Sequence, residues 1–310
     1  MLSAEEFDAH HPSRFSPARG LHRKQNSSAE RLNSPISTPR NMQRPVILIT
    51  GCARRLGREM ALELAAAGYD IAVHYRSSAA DAAQLVEQLQ ALGGHAYAFA
   101  ADLADEAACE ALVPDVLKHF GRLDGVVNNA SLFEYDNVEN FSYASMEAHW
   151  RANTGPAVLL ARALHRHLLT RQQADNGAPQ RSACVINVVD QKLWNPNPDY
   201  LSYTLSKAAL DSCTTLLAQA LAPQLRVCGI APGVTLVSGS MNEAEFIQAH
   251  QLTPLRRSST PADIARAVRF LLESPAITGT TLLVDGGQHL SGQSRDVAFI
   301  TPASNSPKEN

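Results

Sequence analysis

The sequence predicts an α/β fold: one doubly wound, parallel, seven-stranded sheet with helices on both faces. Three observations carry this expectation. Short apolar runs such as Val46 to Thr50 (VILIT) do not alternate with polar residues, as expected of strands buried on both faces. Segments with helical periodicity separate these runs. The strict alternation of the two selects right-handed crossovers and a parallel sheet.

Each element follows from its local pattern. After VILIT, a helix over Arg55 to Ala67 places Leu56, Met60 and Leu64 on one face, and Gly68 stops it. Ile71 to Tyr75 is the second strand. Asp81 to Leu92 is a helix ended by Gly93-Gly94, and Tyr97 to Ala101 is the third strand. A helix over Glu106 to Phe120 leads into a fourth strand at Gly125 to Val127. Trp150 to Leu169 reads as one long helix, Val185 to Val189 as the fifth strand, and Tyr203 to Leu221 as a helix. Arg226 to Ile230 is the sixth strand. Pro261 to Glu273 is a helix with Thr260 as its N-cap, and Thr281 to Val284 is the seventh strand.

The 310 residues divide unevenly. Residues 1–42 are rich in Ser, Pro, Arg, Asn and His, with six Lys/Arg against four acids, and read as a disordered polar tail. Residues 43–295 form the α/β domain, and residues 296–310 read as a second polar tail. A chain 45% apolar and 18% charged is not wholly disordered, and a net charge of −3 argues against a generally basic nucleic-acid binder. No apolar run reaches the ~18 residues that span a membrane. Five scattered cysteines without a CxxC pair read as reduced thiols of a cytoplasmic protein, with no metal site.

The turn Thr50-Gly51-Cys52-Ala53-Arg54-Arg55-Leu56-Gly57 sits between the first strand and the first helix. Glycines there let the backbone approach a pyrophosphate, and the helix N-terminus offers free N–H groups. An Asp or Glu closing the second strand would bind the ribose 2′-hydroxyl of NAD. This chain has His74-Tyr75-Arg76-Ser77-Ser78 instead. Arg76 can fork onto a 2′-phosphate, helped by the two serines and by Arg55, so the expected cofactor is NADPH.

Further motifs follow in order: Asp102-Leu103, Asn128-Asn129-Ala130, Asn153, Tyr203-Thr204-Leu205-Ser206-Lys207, Pro232-Gly233, and Val284-Asp285-Gly286-Gly287. Across residues 45–290 this series resembles the short-chain dehydrogenase/reductase superfamily. The resemblance implies a Rossmann-type fold, a nicotinamide cofactor and a homotetramer. The chain departs from the common pattern in having Arg55 in the first turn and Asp190 in place of a serine before the catalytic tyrosine. Both departures, with His74-Tyr75 and Asn128 to Ser131 followed by Phe133, are similar to the pteridine reductase subgroup, to which dihydromonapterin reductases are related.

The cofactor-binding set this implies is Gly51, Arg55, Leu56, Gly57, His74, Tyr75, Arg76, Ser77, Asp102, Leu103, Asn128, Ala130, Ser131, Tyr203, Lys207, Pro232 and Gly233. Asp102 is expected at the adenine, Asn128 in the backbone near the adenosine, and Pro232-Gly233 at the carboxamide. Asp190, Tyr203, Lys207 and Asn153 form the catalytic set, with Asn153 positioning Lys207. Arg55, Ser131, Phe133, Asp190, Tyr203 and Leu236 form the substrate set.

Tyr203 and Lys207 lie one helical turn apart and project to one face. A nearby ammonium is expected to lower the tyrosine's proton affinity. Asp190 suits a heterocycle with ring nitrogens better than the developing alkoxide of a ketone. Phe133 is expected to stack a flat ring against the nicotinamide. Residues 234–250 read as a loop whose Leu236, Val237 and Met241 close over the substrate. The reading is NADPH-dependent reduction of a pterin, folate included among the candidates. A 3-ketoacyl-type carbonyl reductase and a non-catalytic NADP-binding sensor are the alternatives.

Overall fold

Apolar strands with side chains on alternate faces require cover on both sides, and seven of them lie side by side in this chain. In the computed structural model, residues 44–174, 183–237 and 241–300 are described and belong to one compact unit. The expected tail at 1–42 lies outside the described residues, as does 301–310. The strands are β1 (Val46–Ile49), β2 (Asp70–Tyr75), β3 (Ala96–Ala100), β4 (Gly125–Asn128), β5 (Ala183–Val188), β6 (Leu225–Pro232) and β7 (Thr281–Val284). They form one sheet in the order β3-β2-β1-β4-β5-β6-β7, with all pairs parallel. The chain reverses direction across the sheet between β1 and β4, where a crevice opens beyond the carboxyl ends of the strands.

Alternation within β1 builds the two cores. Ile47 and Ile49 face α1 (Arg55–Ala66), α2 (Ala79–Ala91) and α8 (Pro261–Glu273), where Met60, Leu64, Leu85, Leu89, Ile264 and Val268 are buried. Val46 and Leu48 face α3 (Glu106–Phe120) and α5 (Gly155–Ala174), with Leu112, Val116, Leu160 and Leu164. The helix ends carry the expected signals. Asp105 accepts from Ala108 N–H at the start of α3, and Thr260 and Asp263 form a capping box on α8.

Three elements differ from the sequence expectation. The helix expected over 150–169 is two pieces, a π-helical turn at Trp150–Thr154 and α5, and a further helix, α4 (Tyr143–His149), precedes them. The segment 234–250 is only partly a loop, because Asn242 and Glu245 form a capping box that starts α7 (Glu243–Gln251). Residues expected to begin a polar tail at 296 instead form a helical turn, α9 (Val297–Ile300), with Val297 buried against Met241 and Ala249. Met241 therefore packs in a small apolar cluster of its own instead of closing over a substrate ring.

Leu64 is fully buried between the sheet and α8. Leu64→Ala is expected to cost about 2–5 kcal/mol of unfolding free energy through lost burial and a residual cavity. Urea denaturation checks this; a loss under ~1 kcal/mol would mean that this face of the core can collapse around the gap.

Candidate active site

The first turn is shaped for close backbone approach. Gly51 has φ +62°, and a Cβ there would lie 3.0 Å from Ala130 Cα. A Cβ on Gly57 would lie 2.7 Å from Cys52 Cα and 2.8 Å from the Gly51 carbonyl oxygen. Asn129 crosses this turn, its Nδ2 donating to the carbonyls of Thr50 (2.9 Å) and Gly51 (3.2 Å). A cavity of about 440 Å³ opens beside it. Gly51, Arg55, Leu56 and Gly57 border it from the turn, and His74, Tyr75, Arg76 and Ser77 from the end of β2. Asp102, Leu103, Ala130 and Ser131 close the other walls. Twelve of the residues assigned to cofactor binding thus line one cavity, together with Arg54 and Ser78.

His74 lines the cavity with both ring nitrogens engaged. Nδ1 accepts from Gly51 N–H at 3.0 Å, and Nε2 lies 3.1 Å from the Ala101 carbonyl. A ring accepting at Nδ1 and donating at Nε2 is neutral. Burial lowers its pKa to about 4. His74 therefore braces the phosphate turn against the end of β3.

Asn128 departs from its expected place. Its Nδ2 donates to Asn187 Oδ1 at 2.8 Å inside the sheet. The next residue, Asn129, turns the other way and takes the position beside the cavity, as strand alternation requires. Arg55 has φ +53° and donates from Nη2 to the Val237 carbonyl at 2.7 Å, spanning from the first turn to the segment after β6.

The second half of the candidate site is built on β5 and α6 (Leu201–Ala220). Asp190 follows β5 and is partly buried. Its Oδ1 accepts from Lys192 N–H at 2.9 Å, and its Oδ2 accepts from the Tyr203 hydroxyl at 2.8 Å. Lys207 donates from Nζ to the Val188 carbonyl at 2.7 Å, and this nitrogen lies 5.7 Å from the centre of the Tyr203 ring. Burial lowers Lys207 to about 8 and raises Asp190 above the usual carboxylate range. Tyr203 corrects the expectation of an acidified phenol. Burial and the neighbouring Asp190 carboxylate push it well above the ordinary tyrosine value. The phenol keeps its proton and donates it to the Asp190 carboxyl.

Two polar groups seat α6. Asp136 Oδ1 accepts from Ser202 N–H at 2.9 Å, and its Oδ2 accepts from the Ser202 hydroxyl. Asn153, in the π-helical turn, donates to Ser206 Oγ at 2.9 Å and to the Leu132 carbonyl at 3.0 Å, and its Oδ1 accepts from Leu132 N–H at 2.7 Å. Asn153 thus ties the segment after β4 to α6 through Ser206, one residue from Lys207, and makes no direct bond to Lys207. Ser131 joins the same node, its Oγ 3.2 Å from Asn153 Oδ1.

Phe133 stacks on Tyr200 (centroids 4.2 Å apart, 15° between planes) and meets the edge of Tyr203 at 4.7 Å. Tyr200 covers one face, which leaves the other for a flat ligand. Pro232 ends β6, and a Cβ on Gly233 would lie 2.6 Å from Ser258 Oγ. Leu236 lies between β6 and residues 238–240, which are outside the described set. Sequence reasoning missed Asn129, Asp136, Ser206 and Tyr200. The Asn-Asn-Ala string already contained Asn129, but the cofactor set named only Asn128 of the pair.

A family model described as enoyl-(acyl carrier protein) reductase matches residues 51–289. Pteridine reductase 1 of Leishmania tarentolae is 32% identical over 286 residues, covering 80% of this chain and 97% of that protein. The crystal structure of FolM alternative dihydrofolate reductase 1 from Brucella canis, complexed with NADP, matches with TM-score 0.72 and 34% identity, over 81% of this chain and 96% of that one. The 3-oxoacyl-(acyl-carrier-protein) reductase FabG of Staphylococcus aureus is 31% identical over 248 residues, covering 78% of this chain and 97% of FabG. The chain belongs to the short-chain dehydrogenase/reductase family and is an oxidoreductase.

The depressed His74 pKa has a consequence for stability. The unfolded chain binds the imidazole proton near pH 6.5 and the folded chain only near 4. Unfolding then takes up a proton in this window, so stability is full above pH 6.5 and declines as the pH falls towards 4. Imidazole NMR titration is expected to place the His74 midpoint near 4, and a midpoint at the ordinary value would contradict the buried neutral ring.

Proposed function

We propose that this enzyme reduces a pterin with NADPH, hydride arriving on the pyrazine ring and a proton on the adjacent ring nitrogen. The observation that carries this reading is Asp190: a carboxyl group, 2.8 Å from the Tyr203 hydroxyl, stands where a ketone reductase needs a neutral donor. A carboxylate opposes a developing alkoxide, whereas it can hydrogen-bond the amino group and ring nitrogens of a pterin.

The residues present fit NADPH. Gly51 and Gly57 let the first turn fold tightly on Ala130, Cys52 and its own backbone, which brings the N-terminus of α1 to the cavity wall where a pyrophosphate would sit. No carboxylate closes β2 to receive a 2′-hydroxyl. Arg76, Ser77 and Ser78 line the cavity at that point, a set suited to a 2′-phosphate. When bound, NADPH supplies the hydride. Tyr203 holds the proton at its hydroxyl and gives it to the substrate nitrogen, and Asp190 returns a proton to the phenol. The Lys207 cation offsets the negative charge left on the phenol during transfer. Phe133 offers its open face to the ring, and Ser131 and Arg55 border the approach.

The Leishmania and Brucella relatives support a pterin or folate. The FabG relative supports a 3-ketoacyl thioester, against which Asp190 argues. An assay with NADPH, a panel of dihydropterins, dihydrofolate and a 3-ketoacyl thioester separates these. Turnover of the thioester alone would sink the pterin reading. Tyr203→Phe and Asp190→Asn are each expected to lower kcat on the pterin by about 10²–10⁴-fold, as loss of a general acid does. Because the Lys207 charge is lost on raising the pH, kcat/KM is expected to fall as pH rises through about 8.

Arg76→Ala is expected to raise KM for NADPH by about tenfold or more, with little change for NADH, since a charge-assisted contact to phosphate contributes ~1.5–3 kcal/mol. Equal effects on the two cofactors would place the 2′-phosphate elsewhere.

A further inference from the structure

A buried glutamine stands behind the turn that ends β6. Pairing of Val188 with Ile230 brings the carboxyl ends of β5 and β6 level, so Pro232, Gly233 and Val234 emerge beside the turn that carries Asp190. These three residues are partly exposed, whereas Gln288 is only 2% exposed. Gln288 Oε1 accepts the Val234 N–H at 3.0 Å. A Cβ on Gly233 would lie 2.8 Å from the same oxygen, so the side-chain amide is packed directly on the Gly233–Val234 peptide.

Gln288 is itself fixed from several sides. Its N–H donates to the Asp285 carbonyl at 3.1 Å. Its carbonyl accepts from Asn195 Nδ2 at 3.4 Å, and Asn195 Oδ1 accepts the Gln293 N–H at 3.1 Å. Its Nε2 reaches Gln293 Oε1 at 3.5 Å, which sets the way the amide faces. The same C-terminal segment is anchored further on, where Arg295 forks onto the Asp199 carboxylate through Nε and Nη2 at 2.8 Å each. Gln288 thus joins the end of β7, the stretch after Asp190 and the turn after β6.

The bond to Val234 fixes the orientation of one peptide. A trans peptide points its carbonyl opposite to its N–H. With the Val234 N–H turned inward onto Gln288, the Gly233 carbonyl faces away from it and accepts from the Thr235 hydroxyl at 2.9 Å. One lone pair of that carbonyl remains for a further donor. Glycine restrains its own backbone least of all residues, so the peptide depends on a contact from outside to keep this orientation.

We propose that Gln288 is a positioning residue for the nicotinamide end of the cofactor, locking the Gly233–Val234 peptide so that the turn offers a carbonyl acceptor, rather than an N–H, to the carboxamide. This rests on the reading that places Pro232-Gly233 at the carboxamide. Gln288 acts from behind the turn and lies outside the cofactor set read from the sequence.

The test is binding to the full-length protein with no substrate present. NADP⁺ is titrated by calorimetry beside 2′,5′-ADP, which has the phosphorylated adenosine but no nicotinamide. Gln288→Met keeps the length of the side chain and removes the acceptor. It is expected to weaken NADP⁺ by about three- to tenfold, the range of one neutral hydrogen bond, and to leave 2′,5′-ADP within about twofold. Gln288→Glu returns an acceptor oxygen to the same place and is expected to restore most of the NADP⁺ affinity. If Gln288→Met does not fold, Gly233→Ala, whose Cβ presses on Gln288 Oε1 from the other side, is expected to show the same selective loss and decides.

Equal weakening of both ligands, the result of a merely structural glutamine, overturns the proposal, and so does an unchanged NADP⁺ affinity. The placement is tested separately in the wild-type protein by an NOE between the nicotinamide ring protons of NADP⁺ and the Val234 methyls. An NOE without the selective loss keeps the placement and removes Gln288 from it, whereas absence of the NOE removes both. Neither measurement uses a pterin, so both stand apart from the pterin assay.

Discussion

A carboxyl group and a phenol share one hydrogen bond at the mouth of the sheet, and burial raises the proton affinity of both. Neither group is acidic in this setting. In water a carboxyl would lose its proton near pH 4 and the phenol would keep its own to about 10, with nothing passing between them. Away from solvent both hold their protons more tightly than in water, the phenol through burial and the neighbouring Asp190 charge, and one 2.8 Å hydrogen bond joins them. Lys207, lowered to about 8 by the same burial, completes the balance as a cation that can still be lost near neutral pH. The site depends on keeping these three groups dry and close.

The fold achieves this by ending β4, β5 and β6 at one edge and laying α6 across them. Apolar packing sets the position of α6 only coarsely, because an apolar face can slide. Hydrogen bonds set it finely. Asp136 fixes the first turn through Ser202, Asn153 holds Ser206, and Thr154 donates to the Ser206 carbonyl at 2.8 Å. The π-helical turn at Trp150–Thr154 matters here: the extra residue per turn rotates Asn153 and Thr154 towards α6, and π-turns recur at functional sites for this kind of reason. Tyr203 sits one residue beyond Ser202, so a slip of α6 would break polar contacts before it moved the hydroxyl from Asp190.

What the sequence made legible follows the range of the forces involved. The span of α3 can be read to the residue because Asp105 and Gly121 bracket it locally. The first turn, Arg76 and the Tyr203–Lys207 spacing were equally local. The π-turn was not, since one inserted residue barely disturbs a helical apolar pattern. The helix α7 starts at a local capping box of Asn242 and Glu245, inside a segment that reads as a loop from the sequence. Asn129 was missed because pointing direction in a strand alternates, and an error of one residue reverses it. The C-terminal network was out of reach altogether: Arg295 meets Asp199 across 96 residues, and polar residues that pair so far apart look from the sequence like any polar tail.

Asp190 shows why its replacement of a serine is more than a change of charge. One oxygen caps the turn Gln191–Trp194 by accepting from Lys192 N–H, and the other accepts from Tyr203. A serine has a single, nearer oxygen, so both contacts would have to meet at one atom, whereas the carboxyl gives each its own oxygen. The carboxyl is therefore a structural joint between the turn after β5 and α6. The partly buried carboxyl is made tolerable by these two hydrogen bonds, which satisfy both of its oxygens.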